Sequence, residues 1–194
     1  GDTEVVAGAD LNEAALNKWG QQHNITKLHT DSADLIADPD IDIIDICTPN
    51  AYHAPLAIAA MQAGKHVLCE KPLAVTPADI RQMIAARNST GQMLMTGQNF
   101  RFLGTSKALK AEIDCGVLGE VYHARGMMLR RGGAPTSRPG FYMKKHSGGG
   151  PCIDIGVHIL DLTLWMIGNP KPVSVTRVTR DTLARQPHTF CEWD

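Results

Sequence analysis

The tripeptide Glu70-Lys71-Pro72 follows the short apolar run His66-Val67-Leu68-Cys69, and far downstream the chain reads Gly148-Gly149-Gly150-Pro151-Cys152-Ile153-Asp154-Ile155-Gly156-Val157-His158. A lysine at the carboxyl end of a strand and an aspartate four residues before a histidine are groups that can move a proton at a bound substrate. Asp154 and His158 fall on one face of a helix at that spacing. Lys71 precedes a proline, which restricts its backbone to extended conformations and sets the direction in which its side chain starts. Each residue also has a plainer use. Most lysines are solvated, an aspartate in a first helical turn simply complements the helix dipole, and a single histidine on an amphipathic helix is commonly structural. The Asp154/His158 pair has the spacing of two metal ligands, but no further histidine or cysteine cluster completes a set, so no metal site is expected.

The elements that must hold these groups alternate in type. Strand-like runs at Glu4 to Ala9, Lys27 to His29, Ile41 to Cys47, Val67 and Met93 to Thr96 are separated by helical stretches near Asn12 to Gln22, Ser32 to Ala37, His53 to Ala63 and Pro77 to Asn88. This rhythm predicts an α/β, doubly wound parallel (Rossmann) sheet covered on both faces. Thr76-Pro77 reads as an N-cap followed by a first helical residue, and Gly64 and Gly91 read as helix stops. From about Asn99 the alternation ceases. A helix from Ser106 to Asp114, a strand from Glu120 to Arg131, a helix from Pro151 to Ile167 and a strand from Val173 to Val178 predict part of an α+β domain. The expected division is therefore 1–98 for the first domain and 99–194 for the second. On the second helix Asp154, His158, Asp161 and Trp165 form one stripe, and Ile153, Val157, Leu160, Leu164 and Ile167 form another, suited to packing on a sheet.

Ligands of open α/β sheets bind beyond the carboxyl ends of the strands. The first strand ends at Gly8-Ala9-Asp10, the third at Cys47-Thr48-Pro49-Asn50 and the fourth at Cys69-Glu70-Lys71. No Gly-x-Gly-x-x-Gly turn occurs in the chain, so Gly1 is expected to lie roughly 30 residues into a longer protein, past the central first strand and its phosphate turn. Asp10 serves equally as the N-cap of the helix that starts near Leu11 or as the acid that bonds the adenosine ribose at the end of a second strand. His53 reads as a surface helix residue. Without the central strand, the 194 residues alone are expected to bind a dinucleotide weakly and not to turn over substrate, with unpaired strand edges along the gap.

Glu-Lys-Pro, the Gly-Gly-Gly run with Asp-x-x-x-His behind it, Thr-Pro-Asn and Asn99-Phe100-Arg101-Phe102 together resemble the glucose-fructose oxidoreductase/inositol dehydrogenase (Gfo/Idh/MocA) family of nicotinamide-dependent dehydrogenases, across nearly the whole chain. The resemblance implies an oxidoreductase that transfers a hydride from a sugar or polyol hydroxyl to NAD(P). It implies Lys71, Asp154 and His158 as catalytic residues, and Asp10, Thr48, Pro49, Asn50, Glu70 and Lys71 at the cofactor. Lys71, Arg101, Asp154 and His158 would meet substrate, with His158 as general base, Lys71 steadying the alkoxide and Asp154 orienting substrate or His158. Lys71 and the Asp154/His158 pair are expected to point into one cleft. Arg101 would brace the pocket or tie the domains together. The family also suggests a cis Lys71-Pro72 bond and a homo-oligomer in the full-length parent. NAD is favoured over NADP, because Asp10 would repel a 2′-phosphate and no arginine follows it closely. Two rivals remain within the resemblance. One is an NAD-assisted glycoside hydrolase, which would return the hydride. The other is a non-catalytic dinucleotide-binding regulator, which the joint presence of Lys71, Asp154 and His158 argues against.

Composition narrows the partners. Nineteen basic and twenty acidic side chains give a net charge of -1, which removes the broad attraction that non-specific nucleic-acid or polybasic membrane binding needs. With 43% hydrophobic residues in 194, a packed core is within reach. The five scattered cysteines, Cys47, Cys69, Cys115, Cys152 and Cys191, suit a reduced, cytoplasmic protein better than a disulfide framework. No run approaches the roughly 18 apolar residues of a membrane span. Between Val121 and Ile153 every charged side chain is basic (Arg125, Arg130, Arg131, Arg138, Lys144, Lys145), which reads as a solvated strand and loop or as a contact for an anionic group on substrate.

Overall fold

The computed structural model describes residues 3–129 and 147–178. The chain divides into two compact units, Gly1–Gly97 and Gln98–Asp194.

The first unit runs β1 (Ala7–Ala9), α1 (Glu13–His23), β2 (Lys27–His29), α2 (Ser32–Ala37), β3 (Ile43–Ile46), a 3-10 turn (Asn50–Tyr52), α3 (His53–Gln62), β4 (His66–Cys69), α4 (Pro77–Thr90) and β5 (Leu94–Thr96). β1 pairs in parallel with β2, and β3, β4 and β5 pair in parallel in that order. Among the described residues no strand joins the two sheets.

Local chemistry sets the helix ends. Thr76 caps α4, its hydroxyl accepting from the Asp79 N–H at 3.1 Å, with Pro77 at the first position. Gly91 closes that helix at φ +73°, a left-handed backbone that costs glycine nothing. α1 is capped by Asn12, whose side chain accepts from the Ala15 N–H at 3.0 Å.

The core is built on one side of the three-stranded sheet. Ile44, Ile46, Val67 and Cys69 from the strands meet Ala54, Ala57, Ala60 and Met61 of α3 and Met83 and Ala86 of α4. Small alanines let α3 lie close to the strands, while the two methionines fill what remains. β3 alternates, with Ile43 46% exposed and Asp45 exposed beside it. Asp45 shares the face of Ile43, and a carboxylate resists burial.

Cys69 is fully buried at the end of β4. Burial first, and the Glu70 charge second, push its thiol up to about 12, so at neutral pH it holds its proton and is a poor nucleophile. An alkylating reagent at neutral pH is expected to label the exposed Cys115 and Cys152 in the folded protein and to reach Cys69 only after denaturation. Mass-spectrometric mapping of native Cys69 labelled as fast as Cys115 would contradict this.

The second unit contains a 3-10 turn (Asn99–Phe102), α5 (Gly104–Asp114), a π-helical turn (Cys152–Gly156) and α6 (Val157–Met166). The sequence predicts strands over Glu120 to Arg131 and Val173 to Val178. Residues 120–129 and 171–178 form none, and Arg130 and Arg131 lie outside the described residues. Tyr122 and Val173 are 96% and 97% exposed. Strand-forming residues prefer a pleated, half-buried surface, and among the described residues these segments have no strand edge to pair with. At Gly126 the first segment instead runs against α6, so closely that a Cβ would lie 2.4 Å from Thr163 Oγ1.

Candidate active site

Unit 1 presents its candidates along the carboxyl edge of the β3–β4–β5 sheet. Ile46 is in register with Cys69, so Thr48 and Lys71 each stand two residues past paired positions on adjacent parallel strands. The turns are tied to the sheet by backbone bonds. The Glu70 N–H donates to Ile46 O at 2.9 Å and the Gly97 N–H to Cys69 O at 2.8 Å. The Glu70 carboxylate folds back to accept the Lys71 N–H at 2.9 Å. The Lys71-Pro72 peptide is cis. Thr48, Pro49 and Glu70 are exposed, and Asn50 and Lys71 are half-buried.

His53 departs from its reading as a surface residue. It is 0% exposed, and its ring spans the two turns: Nδ1 lies 2.8 Å from Pro72 O and Nε2 lies 2.8 Å from Thr48 O. The signal was present in the sequence, since His53, Ala57, Ala60 and Met61 recur at the i, i+4, i+7, i+8 spacing of a buried helical stripe. A titratable side chain at the first position of that stripe hid it.

Asp10 is exposed at the end of β1 and does not cap α1, the role belonging to Asn12. Its Oδ1 accepts the Asn12 N–H at 2.7 Å, and its own N–H donates to His29 O at 3.2 Å. The carboxylate is thereby held just outside the sheet edge, an orientation that suits an acceptor for ribose hydroxyls. Together with the exposed Thr48 and Glu70 turns, this donor and acceptor set fits a nicotinamide dinucleotide.

Unit 2 builds a second group of candidates on the π turn and α6. Gly150 O accepts from both Ile153 N–H (2.9 Å) and Asp154 N–H (3.2 Å). The expected single helix thus begins with a widened turn that contains Asp154, and such π turns are frequent at functional sites. His158 is 9% exposed and stacks on Phe100, with centroids 4.6 Å apart and planes at 17°. Arg101 is engaged in a fork with Asp161: Nε donates to Oδ2 at 2.6 Å and Nη2 to Oδ1 at 2.5 Å. This pairing, above all its hydrogen bonds, raises the Arg101 pKa further. Two cations lie near the Trp165 ring, the Arg101 guanidinium carbon 5.9 Å and Lys110 Nζ 5.7 Å from its centroid.

Asn99–Phe102 therefore braces α6 through its polar stripe. The apolar stripe is the less covered one among the described residues, with Leu160 54% exposed. A bidentate charged pair holds an arginine and a carboxylate in one geometry more firmly than stacking alone holds the histidine. Arg101→Ala is expected to cost about 1.5–3 kcal/mol, the range for hydrogen bonds to charged groups, and Arg101→Lys to recover only part of it. Chemical denaturation measures both, and an unchanged midpoint in Arg101→Ala would remove Arg101 from this role.

Among the described residues no group of three or more His, Cys, Asp or Glu could hold a metal ion, and no helix is long and apolar enough to cross a membrane. Of the basic run after Val121, only Arg125 is described, and it is exposed. Cys191 and the remaining basic residues lie outside the described residues.

Residues 1–98 match the model of the oxidoreductase family with an NAD-binding Rossmann fold, and residues 106–189 match the GFO/IDH/MocA C-terminal domain. Among similar proteins, D-glucoside 3-dehydrogenase of Escherichia coli K12 is 32% identical over 100% of this chain and 55% of its own length. Myo-inositol 2-dehydrogenase of Thermotoga maritima is 32% identical over 86% of this chain and 48% of its own. The structure of levoglucosan dehydrogenase in complex with NADH and levoglucosan superposes with a TM-score of 0.76 at 32% identity, covering 84% of this chain and 45% of that one. The chain spans about half the length of the curated relatives it matches.

Proposed function

The chain belongs to the Gfo/Idh/MocA family of oxidoreductases, and from that membership we propose an NAD-dependent dehydrogenase that oxidises a hydroxyl of a sugar or polyol. The observation that carries the reading is the register of β3 and β4, which brings the Thr48-Pro49-Asn50 and Glu70-Lys71 turns side by side at one sheet edge. Relatives that act on glucosides and inositol support the substrate class.

NAD, when bound, supplies the hydride acceptor. The chain supplies position and proton transfer. Asp10 accepts from the ribose hydroxyls, and Thr48, Pro49, Asn50 and Glu70 line the nicotinamide side. Lys71 donates a charged hydrogen bond to the substrate oxygen as it becomes an alkoxide, which is worth most where water is excluded. His158 takes the hydroxyl proton as general base, while Asp154, in the widened turn before it, orients substrate or the imidazole. Arg101, paired with Asp161, holds α6 on the substrate side.

The test is NAD reduction by the full-length parent over a panel of glucosides, inositols and other polyols, followed by NADH absorbance. Net NADH accumulation with at least one of them is expected. Cleavage of a glycoside with no accumulated NADH would overturn the dehydrogenase reading, as would tight NAD binding with no turnover of any substrate.

A further inference from the structure

The carboxyl-edge turns after β3 and β4 meet at a residue that neither takes part in hydride transfer nor faces solvent. His53 is wholly buried, on the stripe of α3 that packs into the core, and both its ring nitrogens lie 2.8 Å from main-chain carbonyl oxygens. One carbonyl belongs to Thr48, the first residue of the Thr-Pro-Asn turn. The other belongs to Pro72, the residue after Lys71. Carbonyl oxygens only accept, so a ring nitrogen that carries a proton donates it to the carbonyl it faces.

We propose that His53 is a positioning residue, a two-ended clamp that fixes the Thr48 turn against the Lys71-Pro72 turn. The two turns belong to adjacent strands but leave the ladder after Ile46 and Cys69. Past the Glu70 N–H bond to Ile46 O no backbone hydrogen bond joins the two turns among the described residues, and the imidazole, being rigid and held by α3, bridges them there. One side chain thereby bears on both the Lys71-Pro72 turn and the wall formed by Thr48-Pro49-Asn50. Small displacements of a catalytic group are costly, about a hundredfold for 1 Å, so a residue that touches neither cofactor nor substrate can control both binding and turnover. The kinetic part of this inference rests on the dehydrogenase reading; the structural part does not.

Two substitutions separate the ends of the clamp. The amide nitrogen of asparagine sits where Nδ1 does, and that of glutamine sits near Nε2. His53→Asn should therefore keep the bond to Pro72 O and lose the one to Thr48 O, and His53→Gln the reverse. Hydrogen–deuterium exchange is read over residues 47–52 and 70–75 in each purified variant, with thermal unfolding as a check on folding. His53→Asn is expected to speed exchange roughly fivefold in 47–52 and leave 70–75 unchanged, as the loss of one buried hydrogen bond would; His53→Gln is expected to do the opposite. In turnover, His53→Asn should raise KM for NAD with kcat held, and His53→Gln should lower kcat by up to about a hundredfold with KM for NAD held. Equal exchange changes at both segments, one variant matching wild type at both, or equal losses in kcat and KM would overturn the clamp. Failure of the wild-type protein to reduce NAD with any polyol would sink the dehydrogenase reading alone, since the exchange pattern still decides whether the clamp exists.

Discussion

His158→Ala is expected to lower kcat by about 10²- to 10⁴-fold, the usual worth of a positioned general base, with NAD affinity unchanged. The expectation follows from the surroundings of the ring. It is nearly buried, stacked on Phe100 and set one turn after Asp154, so its orientation is held by packing and little rearrangement is needed when a hydroxyl arrives. Added imidazole should restore part of the rate in the alanine variant, because the vacated volume accepts the same base. Steady-state kinetics with the best polyol of the panel measures the loss. A raised KM at unchanged kcat would make His158 a binding residue, and an unchanged kcat/KM would remove it from the site.

Lys71→Ala should cost about 10²- to 10³-fold in kcat, the typical effect of removing one donor aimed at a developing oxyanion. Its backbone is fixed before substrate binds: its N–H donates to the Glu70 carboxylate, and the next residue is held through Pro72 O by His53. Lys71→Arg is expected to restore little, since a planar fork cannot take the place of a compact ammonium. Isothermal titration with NAD should show only a small change in either variant. If Lys71→Ala abolished NAD binding and left turnover at saturating NAD intact, Lys71 would be a cofactor ligand and not the group that steadies the alkoxide.

The sequence alone determined what local rules govern. Thr76-Pro77 and Gly91 fix the ends of α4 because capping and left-handed backbone are chemistry of one or two residues. Strand-helix alternation gave the parallel pairing of β1 with β2 and of β3, β4 and β5, and the strand ends pointed to Thr48, Asn50, Glu70 and Lys71. The motifs that mark the family are contiguous and therefore legible.

Only the tertiary structure decided how those groups are held. His53 shows why: its role depends on two carbonyls, five and nineteen residues away, and a side chain's identity does not reveal which distant main-chain atoms will face it. Arg101 likewise finds Asp161 sixty residues on, a partner that no local pattern in the sequence announces. Asp10 and Asn12 compete for the same helix start, and the cap went to Asn12 because its carbonyl reaches the Ala15 N–H while Asp10 turns to Asn12. The strands expected at 120–129 and 173–178 failed for the complementary reason. A pattern of branched and aromatic residues states a preference, but a strand exists only where another backbone offers its donors and acceptors, and that is a property of the assembled fold.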